Sequence, residues 1–139
     1  MIHSVIASEF ATTSDLDAYN RAIAEGKTED EALAVGDNCI GCWGDSTAAG
    51  TGPCCAIPPD DMVTEYGAVA FAKHQQVIVT NPLNGKAIVC TIKDRMPWKK
   101  DITNGAGIDL NPDACEALVL PYGAMVPVTW GPIEKAQAV

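Results

Sequence analysis

The sequence predicts a mainly β domain with short inserted helices, and three observations carry that prediction. Two runs, Gln76–Asn81 and Ala87–Asp94, read as strands on either side of an Asn84-Gly85 turn signal. Apolar stretches at residues 3–10 and Met125–Trp130 add strands near both ends. The helical patterns are short, and each begins at a recognisable cap. With 139 residues the chain fits one domain, 1–139, able to bury a core without crosslinks.

Taken in order, Val5, Ile6 and Phe10 mark the first strand. Ser14 with Asp17 predicts a helix to about Glu25, ended by Gly26, with Leu16, Tyr19, Ala22 and Ile23 on one side. Thr28 and Glu31 form a capping box for a second helix, with Ala32, Leu33 and Val35 inside and Gly36 after it. Both helices belong to a helical and cysteine-rich insertion over about 11–61. Its part from 36 to 61 is rich in Gly, Pro, Cys, Asp and Thr, has no periodicity, and reads as one long loop. Tyr66–Ala72 reads as a buried strand. In the following hairpin Asn84-Gly85 supplies positive φ angles, while Ile88, Cys90 and Ile92 share one face. Asn111-Pro112-Asp113 starts a last helix that buries Cys115, Leu118 and Val119. Pro121 and Gly123 stop it.

Composition narrows the function classes. A net charge of −9 argues against a nucleic-acid partner, which needs clustered Lys and Arg. A glycan ligand would be held by shape, hydrogen bonds and aromatic stacking rather than by net charge. No apolar run reaches the ~18–20 residues of a membrane span. Met1–Ile6 lacks a basic segment and a long apolar one, so no signal peptide is visible. A phage protein released by lysis or carried in a virion needs none. Cys39, Cys42, Cys54, Cys55, Cys90 and Cys115 favour disulfides, and with them an extracellular, periplasmic or virion setting. Cys54 and Cys55 are adjacent, so each is expected to pair elsewhere or stay free. Free thiols and zinc are the alternatives, the latter because Cys39-Ile-Gly-Cys42 has a ligand-like spacing that Cys54-Cys55 would complete. No metal or other cofactor is expected.

The order of short motifs carries a resemblance. Val79-Thr80-Asn81, Asn84-Gly85, Ile92-Lys93-Asp94-Arg95-Met96-Pro97 and Gly107-Ile108-Asp109-Leu110 resemble the core of the rare lipoprotein A and expansin group. Ala7-Ser8-Glu9-Phe10 looks like that group's first strand. The likeness is good over residues 77–130, weak over 5–10, and nearly absent over 11–76. It implies a six-stranded double-psi β-barrel with a groove across one face. It also implies a cell-wall polysaccharide as partner, whereas the acidic charge and the lack of a visible signal peptide favour other virion or envelope proteins. The group includes lytic transglycosylases, expansins, endoglucanases and protease inhibitors, so the fold leaves the function open.

Cleaving a glycosidic bond needs a proton donor, usually a carboxylic acid held protonated by its surroundings. Asp94 matches the catalytic Asp of the resemblance, with Met96, Pro97 and Trp98 beside it to exclude water. Its alternative role is structural, satisfying loop amides or pairing with Arg95. Asp109 is expected to order the following turn and helix and to lie near ligand. Glu9, Asp45 and the Asp60-Asp61 pair are further carboxylates in reach of a groove. Trp43, Tyr66, Arg95 and Trp98 are candidate substrate contacts, by ring stacking or hydrogen bonding. One departure stands out: the rare lipoprotein A proteins carry a His before the turn into the Val-Thr-Asn strand. This chain has Cys55-Ala56-Ile57-Pro58 and Met62-Val63-Thr64-Glu65 there, and His74 is not a positional match. The residues thus predict a wall-glycan-associated barrel, binding or structural, with a phage particle as one setting; the alternatives are a transglycosylase or hydrolase using Asp94, and a secreted protease inhibitor.

Overall fold

The computed structural model describes residues 1–121 and 125–133. Its strands are β1 (His3–Glu9), β2 (Cys54–Ile57), β3 (Gln76–Thr80), β4 (Ala87–Arg95), β5 (Ala106–Leu110) and β6 (Val126–Pro132). They close into a barrel in the order β1-β5-β2-β4-β3-β6, which leaves no open sheet edge. The β1–β5 and β2–β4 pairs are parallel, and the other four are antiparallel. Each parallel seam carries a register shift, between Ile6 and Ala7 in one and between Cys55 and Ala56 in the other.

Strand alternation fills the barrel. Ala7, Ile57, Val77, Val79, Ile92, Ile108, Leu110, Val128 and Trp130 are all buried in one core. The helices are α1 (Thr13–Ala24), α2 (Glu29–Leu33), α3 (Pro59–Tyr66) and α4 (Pro112–Leu118). Met62 of α3 and Ala114, Cys115 and Leu118 of α4 plug the core from outside the sheet. Among the described residues no helix is long and apolar enough to cross a membrane. The hairpin and the Asn111 and Thr28 caps form as their sequences predict.

Several expectations need correction. The α1 cap is Thr12, which forms a capping box with Asp15 and so starts the helix before Ser14. Around the two inserted helices Ala22 and Ala32 are buried, while Ile23, Leu33 and Val35 stay exposed; α1 and α2 pack chiefly against each other. The stretch from 36 to 61 is not all loop, because Cys54–Ile57 is a barrel strand and α3 begins at Pro59. The insertion therefore ends at Pro53. Tyr66–Ala72 is not a strand: Tyr66 ends α3, Gly67 takes a left-handed φ of 88°, and Val69–Ala72 is a 3-10 turn. In the hairpin only Gly85 has a positive φ, 74°, while the Asn84 side-chain amide donates to the carbonyl of Leu118 at 3.1 Å. Val119 closes α4 in a left-handed conformation and is exposed. Gly123 lies outside the described residues.

The cysteines also depart from expectation. All six are free thiols, although Cys55 and Cys90 stand within hydrogen-bonding reach of each other. Cys54 and Cys55 alternate to opposite faces of β2 and are both fully buried. Cys55 and Cys90 sit inside the barrel, Cys115 lies on α4, and Cys39 and Cys42 lie on the inserted loop. Among the described residues no three His, Cys, Asp or Glu side chains converge to hold a metal ion, so the zinc alternative has no site.

Candidate functional site

The site is built on the two parallel seams. Ala56 of β2 pairs with Asp94 of β4 on one side and with Asp109 of β5 on the other. The two carboxylates thus stand two strand spacings apart, roughly 10 Å between Cα atoms, with only a methyl group between them. Both register shifts lie just upstream of these pairings, and bulges of this kind re-aim side chains. On β1, Ser8 is the partner of Asp109, and its hydroxyl donates to Asp109 Oδ1. Four adjacent strands therefore converge on one polar rim.

The inserted loop completes that rim. Gly41 packs so closely on β4 that a Cβ there would lie 1.9 Å from the carbonyl oxygen of Lys93, so only glycine fits. This contact lets the Cys42 N–H donate to Asp94 Oδ1 at 2.9 Å, and the Arg95 N–H donates to the same oxygen at 2.8 Å. Lys93 Nζ donates to the Ser46 carbonyl at 3.3 Å, and His74 Nε2 lies 2.6 Å from Asp45 Oδ2. The loop also carries Asp37, whose buried Oδ2 has no hydrogen-bond partner.

Burial dominates the electrostatics. It pushes the Asp109 carboxyl up to about 6, opposed by the Ser8 hydroxyl and helped by the charges of Asp94 and Asp37. It pushes Asp37 up to about 6 as well, with repulsion from Asp94 next in size. Asp94 is also raised by burial, and the Arg95 and Cys42 N–H groups pull against that rise. Three half-buried carboxyls that sense one another hold protons near neutrality more readily than free ones do. Such a group can donate a hydrogen bond, or a proton, where an ordinary aspartate cannot.

Asp109 opens into a groove. It lines a depression of about 160 Å³ with Met96, Pro97, Asp101, Ile102, Thr103 and Asn104. Ile102 is shared with a neighbouring depression of about 260 Å³ that includes Lys99 and Gly105–Gly107. Gly105 and Gly107 are shared in turn with a larger one, about 520 Å³, whose walls include Ser4–Ile6 and Pro127–Thr129. The three adjoin one another through these shared lining residues. One wall is the connector from Met96 to Gly105, between β4 and β5.

The structure gathers some of the expected residues and disperses others. Asp94, Arg95 and Asp109 meet at the rim, and Trp98, 44% exposed, lies on the connector but lines none of these depressions. Trp43 and Tyr66 instead pack partly against the main core. Burial pushes the Tyr66 hydroxyl up to about 12. Glu9 follows Ser8 onto the other face of β1, where it stands against the Cys115 thiol. Asp45 is engaged with His74 away from the rim. Asp60 and Asp61 bind Lys99 of the connector. Asp109 does not order the α4 turn. That work falls to Asn111, the N-cap, and to Asp113, whose carboxylate accepts from the Gly50 and Gly52 N–H groups. Asp37 and the donor role of Ser8 went unrecognised. The Ala-Ser of the first strand was a visible signal for Ser8, whereas Asp37 sits in aperiodic sequence with no signal of its own.

A closed mixed barrel with two shifted parallel seams and a carboxylate on each is a double-psi β-barrel. No family model matches the sequence, and no curated protein matches it. Among solved structures the chain is similar to an expansin of Clavibacter michiganensis, at 14% identity in both of two crystal structures. The apo form gives a TM-score of 0.54, covering 97% of this chain and 52% of that one. A point mutant in complex with cellohexaose gives 0.55, covering 96% and 51%. This chain spans about half the length of the expansin it matches, and likeness at this identity establishes the fold.

Proposed function

We propose that this domain binds a cell-wall glycan chain along the groove, with Asp94 and Asp109 as its polar anchors and Arg95 and Trp98 at its edge. The observation that carries the reading is the position of Asp109. It is a half-buried, readily protonated carboxyl in the first of a row of adjoining depressions, on the barrel face where both parallel seams shift register. Above about pH 6 its carboxylate accepts strongly from sugar hydroxyls, below that its protonated form also donates, and the depressions supply apolar wall for ring faces. The expansin of similar fold, crystallised with cellohexaose, supports a polysaccharide as the ligand class.

Co-sedimentation with insoluble peptidoglycan tests this, with cellulose as a second polymer. The wild type is expected in the pellet, and Asp94→Asn and Asp109→Asn each to bind about 10–100-fold more weakly, the value of a charge-assisted hydrogen bond. No retention of the wild type on either polymer would remove the proposal. A second reading, proton-donor cleavage by Asp109 or Asp94, is favoured by the raised proton affinity of both carboxyls. Mass analysis of material released from peptidoglycan separates the two readings. Anhydro-muramyl ends denote transglycosylation, new reducing ends denote hydrolysis, and no release leaves binding alone.

A further inference from the structure

Away from the rim, α3 carries a buried ionic cluster that glycan binding does not use. Asp61 is almost wholly buried, its side chain 4% exposed, and its Oδ1 takes the Lys99 ammonium at 2.8 Å. Its Oδ2 is buried without a partner. Asp60 accepts the Lys99 backbone N–H at 2.9 Å, so one connector residue is held twice by the first turn of α3. From β1, His3 Nδ1 lies 3.8 Å from Asp61 Oδ1, and its Nε2 lies 2.8 Å from Glu65 of α3. The His3 ring stacks on Trp130 of β6, with centroids 4.1 Å apart. The cluster is thus anchored to the barrel through β1 and β6.

Lys99 belongs to the connector that walls the groove, and the only regular structure in that connector is the 3-10 turn Lys99–Asp101. Met96 is buried and Ile102 packs against the Ala56, Met96 and Ala106 cluster. Residues 97–101 between them are exposed, and an exposed stretch with so little regular structure opens at low cost unless something ties it down. We propose that the Asp61–Lys99 pair is a positioning device for the groove: it fastens the connector to α3 and so sets how narrow and how dry the depression at Asp109 is. This rests on reading that depression as the ligand site. Asp61 lies outside the lining of the groove and acts through the connector.

The test compares wild type, Lys99→Met and Lys99→Arg by two readouts, the carbon-13 NMR titration of the Asp109 carboxyl and hydrogen exchange of the connector. In Lys99→Met the connector loosens and water reaches Asp109. Its midpoint is expected to fall from about 6 by about one unit, toward an ordinary carboxylate value. Exchange of amides 98–104 is expected to rise about tenfold. Lys99→Arg keeps the contact with Asp61 and restores both. The sign discriminates, because loss of a nearby positive charge alone would raise the Asp109 midpoint. Asp61→Asn breaks the same pair should Lys99→Met fold poorly; because loss of a negative charge alone also lowers the Asp109 midpoint, connector exchange is the deciding readout in that variant. An unmoved or raised midpoint in Lys99→Met, or unmoved connector exchange in Asp61→Asn, overturns the inference even if glycan binds normally. If the midpoint falls but no form, wild type included, is retained by wall polymers, the positioning role holds and the glycan reading fails.

Discussion

Replacing Asn111 with alanine is expected to lower stability by about 3–5 kcal/mol, the sum of a lost cap and several orphaned buried groups. Its Oδ1 accepts the N–H groups of Ala114, in the first turn of α4, and of Cys54, at the start of β2. Its Nδ2 donates to the carbonyls of Thr47 and Gly52 on the inserted loop. One fully buried amide thus joins a helix, a barrel strand and the loop that brings Cys42 to Asp94. Alanine leaves these buried groups unpaired, with no water in reach. In thermal unfolding this corresponds to a fall of roughly 10–20 °C. Asn111→Asp keeps the acceptor and loses both donors, so it should fall between the two. A loss below about 1 kcal/mol in the alanine variant would mean that the loop is held by other contacts.

Asp109→Asn is expected to do two opposite things at pH 7, stabilising the fold and weakening ligand retention. The Asp109 carboxyl is raised from 3.8 to about 6 on folding, so the folded state favours its protonated form. The stability contributed by that preference is fully present below the unfolded value. It is lost as pH rises through the folded one, and above about 6 the buried charge costs roughly 1–3 kcal/mol. Asparagine carries no charge and retains an acceptor for Ser8, so its advantage over aspartate should appear between about pH 4 and 6 and stay level above that. Asp37, also raised to about 6, acts in the same direction. Because Asp37 and Asp109 both sense Asp94, the double variant should gain less than the sum of the two. Chemical denaturation of wild type and variant from pH 4 to 8 gives the difference curve directly. A curve flat with pH would show that the Asp109 carboxylate is well solvated in the folded protein. A buried group that costs stability and lines a groove is the pattern expected of a site kept for function.

How much of this was legible in the sequence varied by element, for physical reasons. The β3–β4 hairpin reads clearly, because Val77 and Val79, and Cys90 and Ile92, alternate with exposed neighbours. β2 was hidden for the opposite reason. Cys54, Cys55, Ala56 and Ile57 are all buried, so the strand has no polar face to alternate with. α3 was masked because Pro58-Pro59 falls in the Pro- and Gly-rich stretch that reads as loop, whereas Pro59 is the first helical residue. The Tyr66–Ala72 run is apolar but short, and periodicity alone cannot assign such a run. At the site, Asp94 and Asp109 stood out through motif order, yet their roles did not. Which of them opens into the groove depends on the register shifts and on the connector, neither of which leaves a mark in local pattern. The cysteine count favoured disulfides, whereas the barrel uses Cys55 and Cys90 as small apolar fillers.

The most direct test of the account is an amide chemical-shift map of the nitrogen-15-labelled protein titrated with soluble fragments of wall glycan. Saturable changes should concentrate at Asp94 and Arg95, along the 96–107 wall, and at Ser4–Ile6 opposite it. An absence of change at millimolar fragment, or changes confined to the separate depression at His74, Gln75 and Gln76, would contradict it.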